Sequence, residues 1–392
     1  MANKSGRTWG ARQHLWNGTG INIEFRDPPP HTLALPMPCG AIGAIRPDTM
    51  DAGHAKTKAP PVVFQGSHAR VCFHPTRRTI SRPASSRRGA PVHGAPVHRV
   101  WAAMKPAAFE YHAARSVEEA VATLAEVAPD QGRILAGGQS LVPTMAFRLA
   151  TPEHLVDING IEELGRLAVE DGVLSIGACV RHAAFHRPVT DGGLGAILTF
   201  MAGHIGHYPI RQRGTFCGSL AQADPSSEWC LAAVTLDATI TAQSTRGRRT
   251  IAGADFIQGI MTTALEDDEL LVETRIALPA ADTRFGFAEF SRRAGDFALA
   301  MALVSFRLSG GVMHDARLGI GGAEDHPRRI PQAEAALDGQ PPGSQAFEAA
   351  AAAVAAALDP MEDAGTSAQY RRELAQCLAR RALESAAESA AA

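Results

Sequence analysis

Two glycine-bearing turns constrain this chain more than any other stretch. AGGQSL at 136–141 and GTFCGSLAQADP at 214–225 each run through glycine into Ser-Leu. Glycine tolerates positive φ and lets a ligand come close to the main chain. Successive peptide N–H groups in such turns can form an anion-binding nest. Two of them within one domain can hold the two halves of a diphosphate, or they can be plain turns, and the residues alone leave both readings open. Neither has the spacing of G-x-G-x-x-G or the Gly-Lys-Ser/Thr ending of a Walker A loop.

The patterning around these turns is mixed. Ser116 and Glu119 form a capping box, and Val117, Ala120, Val121, Leu124 and Val127 follow at helical spacing. RILAGG, HLVDIN, VLSIGACV, ATITAQS and ELLVETRIALP read as short strands. The segment 191–208 reads as helix and IRQRGTFCGSLAQADP as irregular loop. Asp224 is expected to cap a helix with Pro225 in its first turn, running to about Leu236. Past Pro279, FGFAEFSRRAGDFALAMALVSFRLSGG and ARLGIGG suggest a small sheet, and 345–358 and 367–388 are Ala-rich helices. The expectation is an α+β chain with a mixed domain over 104–281 and a sheet-plus-helices domain over 284–386.

The first 103 residues are of a different kind. They hold 14 of the 38 Lys/Arg, only 4 of the 40 Asp/Glu, 12 of the 25 prolines and 7 of the 15 histidines. With no sustained apolar period, such a segment cannot offset its chain entropy and is expected to be disordered. It reads as an upstream extension from a misassigned start, or as a basic tail for an acidic partner. No run of eighteen apolar residues predicts a membrane span, and no secretory signal stands at Met1 or Met104. The expected location is the cytoplasm. The six cysteines, Cys39, Cys72, Cys179, Cys217, Cys230 and Cys377, lack the spacing of a zinc or iron–sulfur site. They read as reduced, mostly buried thiols.

Groups able to perform chemistry are few. There is no G-x-S-x-G, no H-E-x-x-H and no tight carboxylate pair. His204 and His207 flank Gly206, a weak pattern better suited to loop packing than to a metal. Arg292 and Arg293 pair with local carboxylates or lie near a ligand or subunit contact. Asp224 and Glu228 follow the second turn; they serve a helix start, or they accept from ribose or ribityl hydroxyls. A chain with places to hold a ligand and few reactive groups suits one in which a cofactor performs the redox work.

Five ordered blocks carry a resemblance: AGGQSLVPTMAFRLATPEHLVDIN, IGHYPIRQRGTFCGSLAQADPSSEW, DFIQGIMTTALEDDELL, EFSRRAGDFALA and SAQYRRELAQCLARRAL. Across 104–386 the chain resembles the FAD-binding subunit of molybdenum hydroxylases, of the carbon monoxide dehydrogenase, xanthine dehydrogenase and aldehyde oxidase type. The resemblance implies a two-subdomain FAD-binding domain of the vanillyl-alcohol oxidase type, followed by a C-terminal domain. It implies that Ala136, Gly137, Gly138, Gln139, Ser140 and Leu141 line one side of the FAD diphosphate. Thr215, Phe216, Cys217, Gly218 and Ser219 would line the other, with Ile205 packing on the cofactor and Glu228 as an acidic contact, beside Asp224 as the candidate from the residues themselves. Leu299 falls where some relatives have a lysine.

The resemblance further implies a large molybdenum-cofactor subunit and a small [2Fe-2S] subunit as partners, in a dimer of heterotrimers, with no role for nucleic acid. Electrons would pass from the partner's clusters to FAD and on to a terminal acceptor. A self-contained FAD oxidoreductase acting on a small molecule is the alternative, and a scaffold subunit that has lost FAD is a third reading. One departure stands out: the family's Thr-Ile-Gly-Gly is Thr215-Phe216-Cys217-Gly218 here. If that glycine needs positive φ or close approach to phosphate, Cys217 weakens FAD binding or shifts the loop. A thiol beside the flavin is the other consequence to test.

Overall fold

The computed structural model describes residues 105–389, so the expectations for 1–103 lie outside the described residues. The first strand, β1 (Glu110–Ala113), runs into helix α1 (Val117–Val127). Ser116 Oγ accepts from Glu119 N at 3.1 Å, and Glu119 Oε2 accepts from Arg115 N at 2.8 Å. The capping box therefore forms, and all five apolar positions of α1 are buried. β2 (Arg133–Leu135), the short helix α2 (Leu141–Ala146) and β3 (His154–Asp157) complete a parallel three-stranded sheet of order β1-β3-β2.

A second sheet has five antiparallel strands in the order β4-β5-β10-β6-β7. These are β4 (Leu167–Glu170), β5 (Val173–Gly177), β6 (Thr239–Ser244), β7 (Gly247–Ala252) and β10 (Leu270–Ala277). A short hairpin, β8 (Ile257–Gly259) and β9 (Thr262–Thr263), precedes β10. Between β5 and β6 lie α3 (Gly192–Ala202), α4 (Tyr208–Arg211), α5 (Phe216–Gln222) and α6 (Glu228–Thr235), with α7 (Gly253–Phe256) following β7.

Two features correct the expectation. The 191–208 helix stops at Ala202, and the chain turns through Gly206 at φ 46° before α4 starts with Pro209 in its first turn. The stretch read as an irregular loop contains α5. Its N-cap is Thr215, whose Oγ1 accepts from Gly218 N at 3.0 Å. Gly218 and Ser219, poor helix formers, hid this helix from periodicity.

The C-terminal part is an antiparallel sheet, β11 (Thr283–Phe290), β12 (Ala300–Ser309), β13 (Val312–Gly321) and β14 (Arg328–Arg329), with α8 (Pro331–Leu337), α9 (Ser344–Ala357) and α10 (Ala368–Glu388). Along β12 the side chains alternate. Ala300, Ala302, Val304 and Phe306 pack toward the helices, and Met301 and Leu303 join the core of the preceding domain. The sheet is thus a two-sided wall with a hydrophobic core on each face. The described residues are α+β, with a three-stranded and a five-stranded sheet ahead of the C-terminal one, the mixed class that the sequence led one to expect.

Candidate functional site

The two glycine turns meet. An ideal Cβ on Gly137 would lie 2.4 Å from the Arg213 carbonyl oxygen and 2.7 Å from the Gly214 Cα. Those are main-chain atoms with little freedom to yield, so the approach demands glycine. Gly138 sits at φ 69°, in the left-handed region that glycine enters without penalty. Gln139 Nε2 donates to the Gly137 carbonyl at 3.0 Å and closes the first turn.

Two residues not singled out from the sequence fasten the turns together. Asn159, just past β3, donates from Nδ2 to the Ala136 carbonyl at 2.8 Å. Its Oδ1 accepts from the Arg181 guanidinium at 2.6 Å. Arg181 also donates to the Arg213 carbonyl. A single side-chain pair therefore spans both turns. The only local hint was a polar residue directly after a strand-like run in VDIN.

Below the second turn the backbone is pinned on both sides of Thr215. His182 N donates to the Gly214 carbonyl and Phe216 N to the Val180 carbonyl, each at 3.0 Å. Phe216 is fully buried in an aromatic cluster, with ring centroids 4.8 Å from Trp229 and 5.6 Å from Phe185. Truncating such a buried aromatic costs about 3–5 kcal/mol. Trp229 Nε1 donates to His182 Nδ1 at 2.9 Å. Indole is only a donor, so Nδ1 is the acceptor and the neutral ring carries its proton on Nε2. Burial, and then the nearby Arg181 and Arg211 charges, lower His182 to about 4, which keeps it neutral.

The Cys217 expectation is corrected here. Cys217 stands in the first turn of right-handed α5 and is absent from the positive-φ residues. Its side chain is 2% exposed and turns into the core, with Sγ 3.3 Å from Thr274 Oγ1 and 3.5 Å from the Ile176 carbonyl. Burial pushes the thiol up to about 12, so it is neither an obstacle in the turn nor a reactive thiolate.

Asp224 does not cap the helix expected of it. Ser227 does, its Oγ accepting from Cys230 N at 3.3 Å, while Asp224 Oδ1 accepts from Ser226 N at 2.9 Å in the preceding turn. Glu228 occupies the first turn of α6, half-buried. Burial foremost, then the like charge of Glu289 on β11, raises it to about 8. Burial raises Glu289 to about 7, and its Oε2 is buried without a hydrogen-bond partner. Glu228 therefore keeps its proton near neutrality and can donate as well as accept, while Glu289 titrates there.

Of the remaining expected residues, Ser140 is exposed at the start of α2, Leu141 and Ser219 are half-buried, and Ile205 is buried at 8% exposure. His204 and His207 do not form a ligand cluster with other His, Cys, Asp or Glu side chains among the described residues. His204 packs against Phe200 and Phe287, and His207 stands at the N-terminal boundary of α4 without a side-chain capping bond. Arg292 donates to the Gly365 carbonyl and to Thr366 Oγ1 rather than to a carboxylate. Leu299 is held by its backbone, donating to the Phe290 carbonyl and accepting from Arg371.

Comparison with known proteins agrees with this arrangement. Residues 107–281 match the FAD binding domain in molybdopterin dehydrogenase, and residues 285–386 match the CO dehydrogenase flavoprotein C-terminal domain. The chain is 37% identical over 283 residues to the nicotine 6-hydroxylase medium subunit of Paenarthrobacter nicotinovorans, covering 71% of this chain and 98% of the relative. It is 34% identical over 284 residues to the carbon monoxide dehydrogenase medium chain of Hydrogenophaga pseudoflava, covering 72% and 98%. A solved structure of carbon monoxide dehydrogenase from Hydrogenophaga pseudoflava, lacking the Mo-pyranopterin moiety of its molybdenum cofactor, superimposes with a TM-score of 0.70 at 36% identity, covering 72% and 98%.

The chain belongs to the family of FAD-binding subunits of molybdenum hydroxylases. It is an oxidoreductase subunit, and its cofactor is FAD. The residues fit that cofactor. Two turns meet with no room for a Cβ at Gly137, and the Ser140 and Ser219 hydroxyls make no hydrogen bond within the described residues.

Proposed function

We propose that the chain is the electron outlet of a multi-subunit molybdenum hydroxylase. Ala136–Leu141 would hold one side of the FAD diphosphate and Thr215–Ser219 the other, through the two serine hydroxyls and those peptide N–H groups that the fold leaves unbonded, Cys217 N among them. The observation that carries this reading is the backbone contact of Gly137 with Gly214. Asn159 and Arg181 hold the two turns at fixed separation, so the donors are in place before a ligand arrives. Such preorganisation avoids an ordering cost on binding.

FAD supplies a centre that accepts electrons singly and passes on two. The chain's own residues bind and orient it, and burial keeps Glu228 protonated. Neutral Glu228 is suited to donate to, or accept from, a sugar or ribityl hydroxyl without placing a second negative charge near a diphosphate. Asp224 lies one turn away, its carboxyl likewise raised by burial. Ile205 closes the apolar side.

The partners would be a large molybdenum-cofactor subunit and a small [2Fe-2S] subunit, forming a dimer of heterotrimers in the cytoplasm. No helix among the described residues is long and apolar enough to cross a membrane. The relatives' names, a nicotine hydroxylase and a carbon monoxide dehydrogenase, span dissimilar substrates. This fits substrate selection on a different chain. Purification of a tagged copy from its own host at native expression tests the reading. Recovery with one large and one [2Fe-2S] subunit and stoichiometric FAD is the expected result. A yellow protein recovered alone would instead support a self-contained flavoenzyme.

A further inference from the structure

Away from the glycine turns, the parallel pairing of β1 and β3 gathers three side chains with metal-binding chemistry. Glu110 and His112 are two residues apart on β1 and so share one face. Glu110 lies opposite His154 in the register, which places His154 beside both. Tyr111, between them, faces the other way and donates to Asp157. His112 Nε2 is 3.2 Å from His154 Nδ1, and that same nitrogen is 3.6 Å from Glu110 Oε2. The ligand atoms of the three residues all lie within 4.8 Å of one another.

A single proton on His154 Nδ1 can serve only one of its two neighbours, whereas a cation between the three groups satisfies all of them. In a tetrahedral site with metal–nitrogen bonds of about 2.0–2.1 Å, ligand atoms stand about 3.3 Å apart. The observed 3.2 and 3.6 Å fall on either side of that spacing. The rings are tilted by 34° with centroids 5.4 Å apart, so face-to-face stacking does not account for their approach. The histidines are half-buried and already positioned, while the Glu110 side chain is 74% exposed and leaves the outer side open.

We propose that Glu110, His112 and His154 bind one divalent transition-metal ion of the zinc type. His112 Nε2, His154 Nδ1 and the Glu110 carboxylate are the protein ligands, and solvent fills the fourth position. Two imidazoles and one carboxylate suit zinc or cobalt(II), whereas calcium and magnesium take oxygen ligands. The ion ties β1, an edge strand of four residues, to the central strand β3. Binding to the folded state alone raises its stability by linkage. None of the three residues belongs to the FAD cradle, so metal and flavin loading separate experimentally.

The test uses the full FAD-loaded chain, stripped with a chelator and titrated with zinc by calorimetry and with cobalt(II) by visible absorption. The expected result is one equivalent bound, an intense tetrahedral-type cobalt spectrum and a raised melting temperature in zinc. Because disturbing even an outer partner of a ligand costs about 10–100-fold in affinity, H112A/H154A should lose at least that much while keeping its flavin. E110Q should lose about tenfold by the same reasoning. Equal zinc affinity in the wild type and H112A/H154A overturns the site. If the double variant does not fold, E110Q decides, since Glu110 is exposed, and an unchanged affinity there overturns it equally.

Discussion

Gly137 packs main chain to main chain against Gly214, with space for no atom where a Cβ would stand, 2.7 Å from the Gly214 Cα. Replacing that hydrogen by methyl forces the two turns apart, because the opposing atoms are backbone. G137A should fold, at a cost of about 1–3 kcal/mol typical of overpacking. Its FAD affinity should drop at least tenfold, about 1.4 kcal/mol. The ratio of flavin to protein absorbance after gel filtration reads this directly. An alanine variant with full flavin would sink the cradle.

Arg181 and Asn159 should act as one unit, since each binds a carbonyl of a different turn and they bind each other at 2.6 Å. R181M and N159A should each weaken FAD binding, and the double variant should be less damaged than the sum. Contacting residues in one network commonly couple by about 0.5–3 kcal/mol. Flavin titrations on the four proteins of the cycle measure the coupling. Strict additivity would mean that the turns are held by something else.

Local signals were legible in the sequence, and meetings between distant segments were not. Ser116 and Glu119 are three residues apart, so one helix start fixes both, and the α1 stripe follows from its own period. The glycine turns were visible as turns, yet their contact depends on Arg181 and Asn159, which reach them from other elements. Asp224 looked like a helix cap because Pro225 follows it, but the turn continues to Ser227, whose hydroxyl reaches Cys230 N. Cys217 looked like an intrusion because its place in the family motif is glycine, and only the start of α5 shows its side chain turning inward. His112 and His154 lie 42 residues apart, and strand register alone brings their nitrogens to 3.2 Å.

Cys217 should behave as a core residue rather than a redox group. Its thiol is buried against Thr274 and the Ile176 carbonyl and raised to about 12, so almost no thiolate exists near neutrality. A thiol-alkylating reagent should leave Cys217 unmodified in the folded protein and modify it after denaturation, while half-exposed Cys377 reacts in both. Peptide mass mapping distinguishes the two. C217S should retain FAD with modest destabilisation, and fast native-state alkylation of Cys217 would show that its loop opens.

Glu228 and Glu289 together should make the protein less stable as pH rises. Burial and the Glu289 charge hold Glu228 near 8 instead of its ordinary 4.5, and burial holds Glu289 near 7. The folded state therefore keeps protons that the unfolded chain releases between pH 4.5 and about 8. Where the native state binds more protons, unfolding free energy falls with increasing pH. Asp224 also acts on Glu228, so the titration belongs to the group rather than to one residue. Glutamine resembles the protonated acid and carries no charge to desolvate. E228Q should therefore match the wild type in melting temperature below about pH 5 and exceed it above about pH 8, by roughly 2–4 °C for each kcal/mol recovered. Because glutamine preserves both a donor and an acceptor, E228Q should also keep FAD, and E228A should lose it. Parallel melting curves for wild type and E228Q at all pH values would mean that Glu228 is ionised in the folded protein, and that its carboxylate meets the cofactor as an acceptor only.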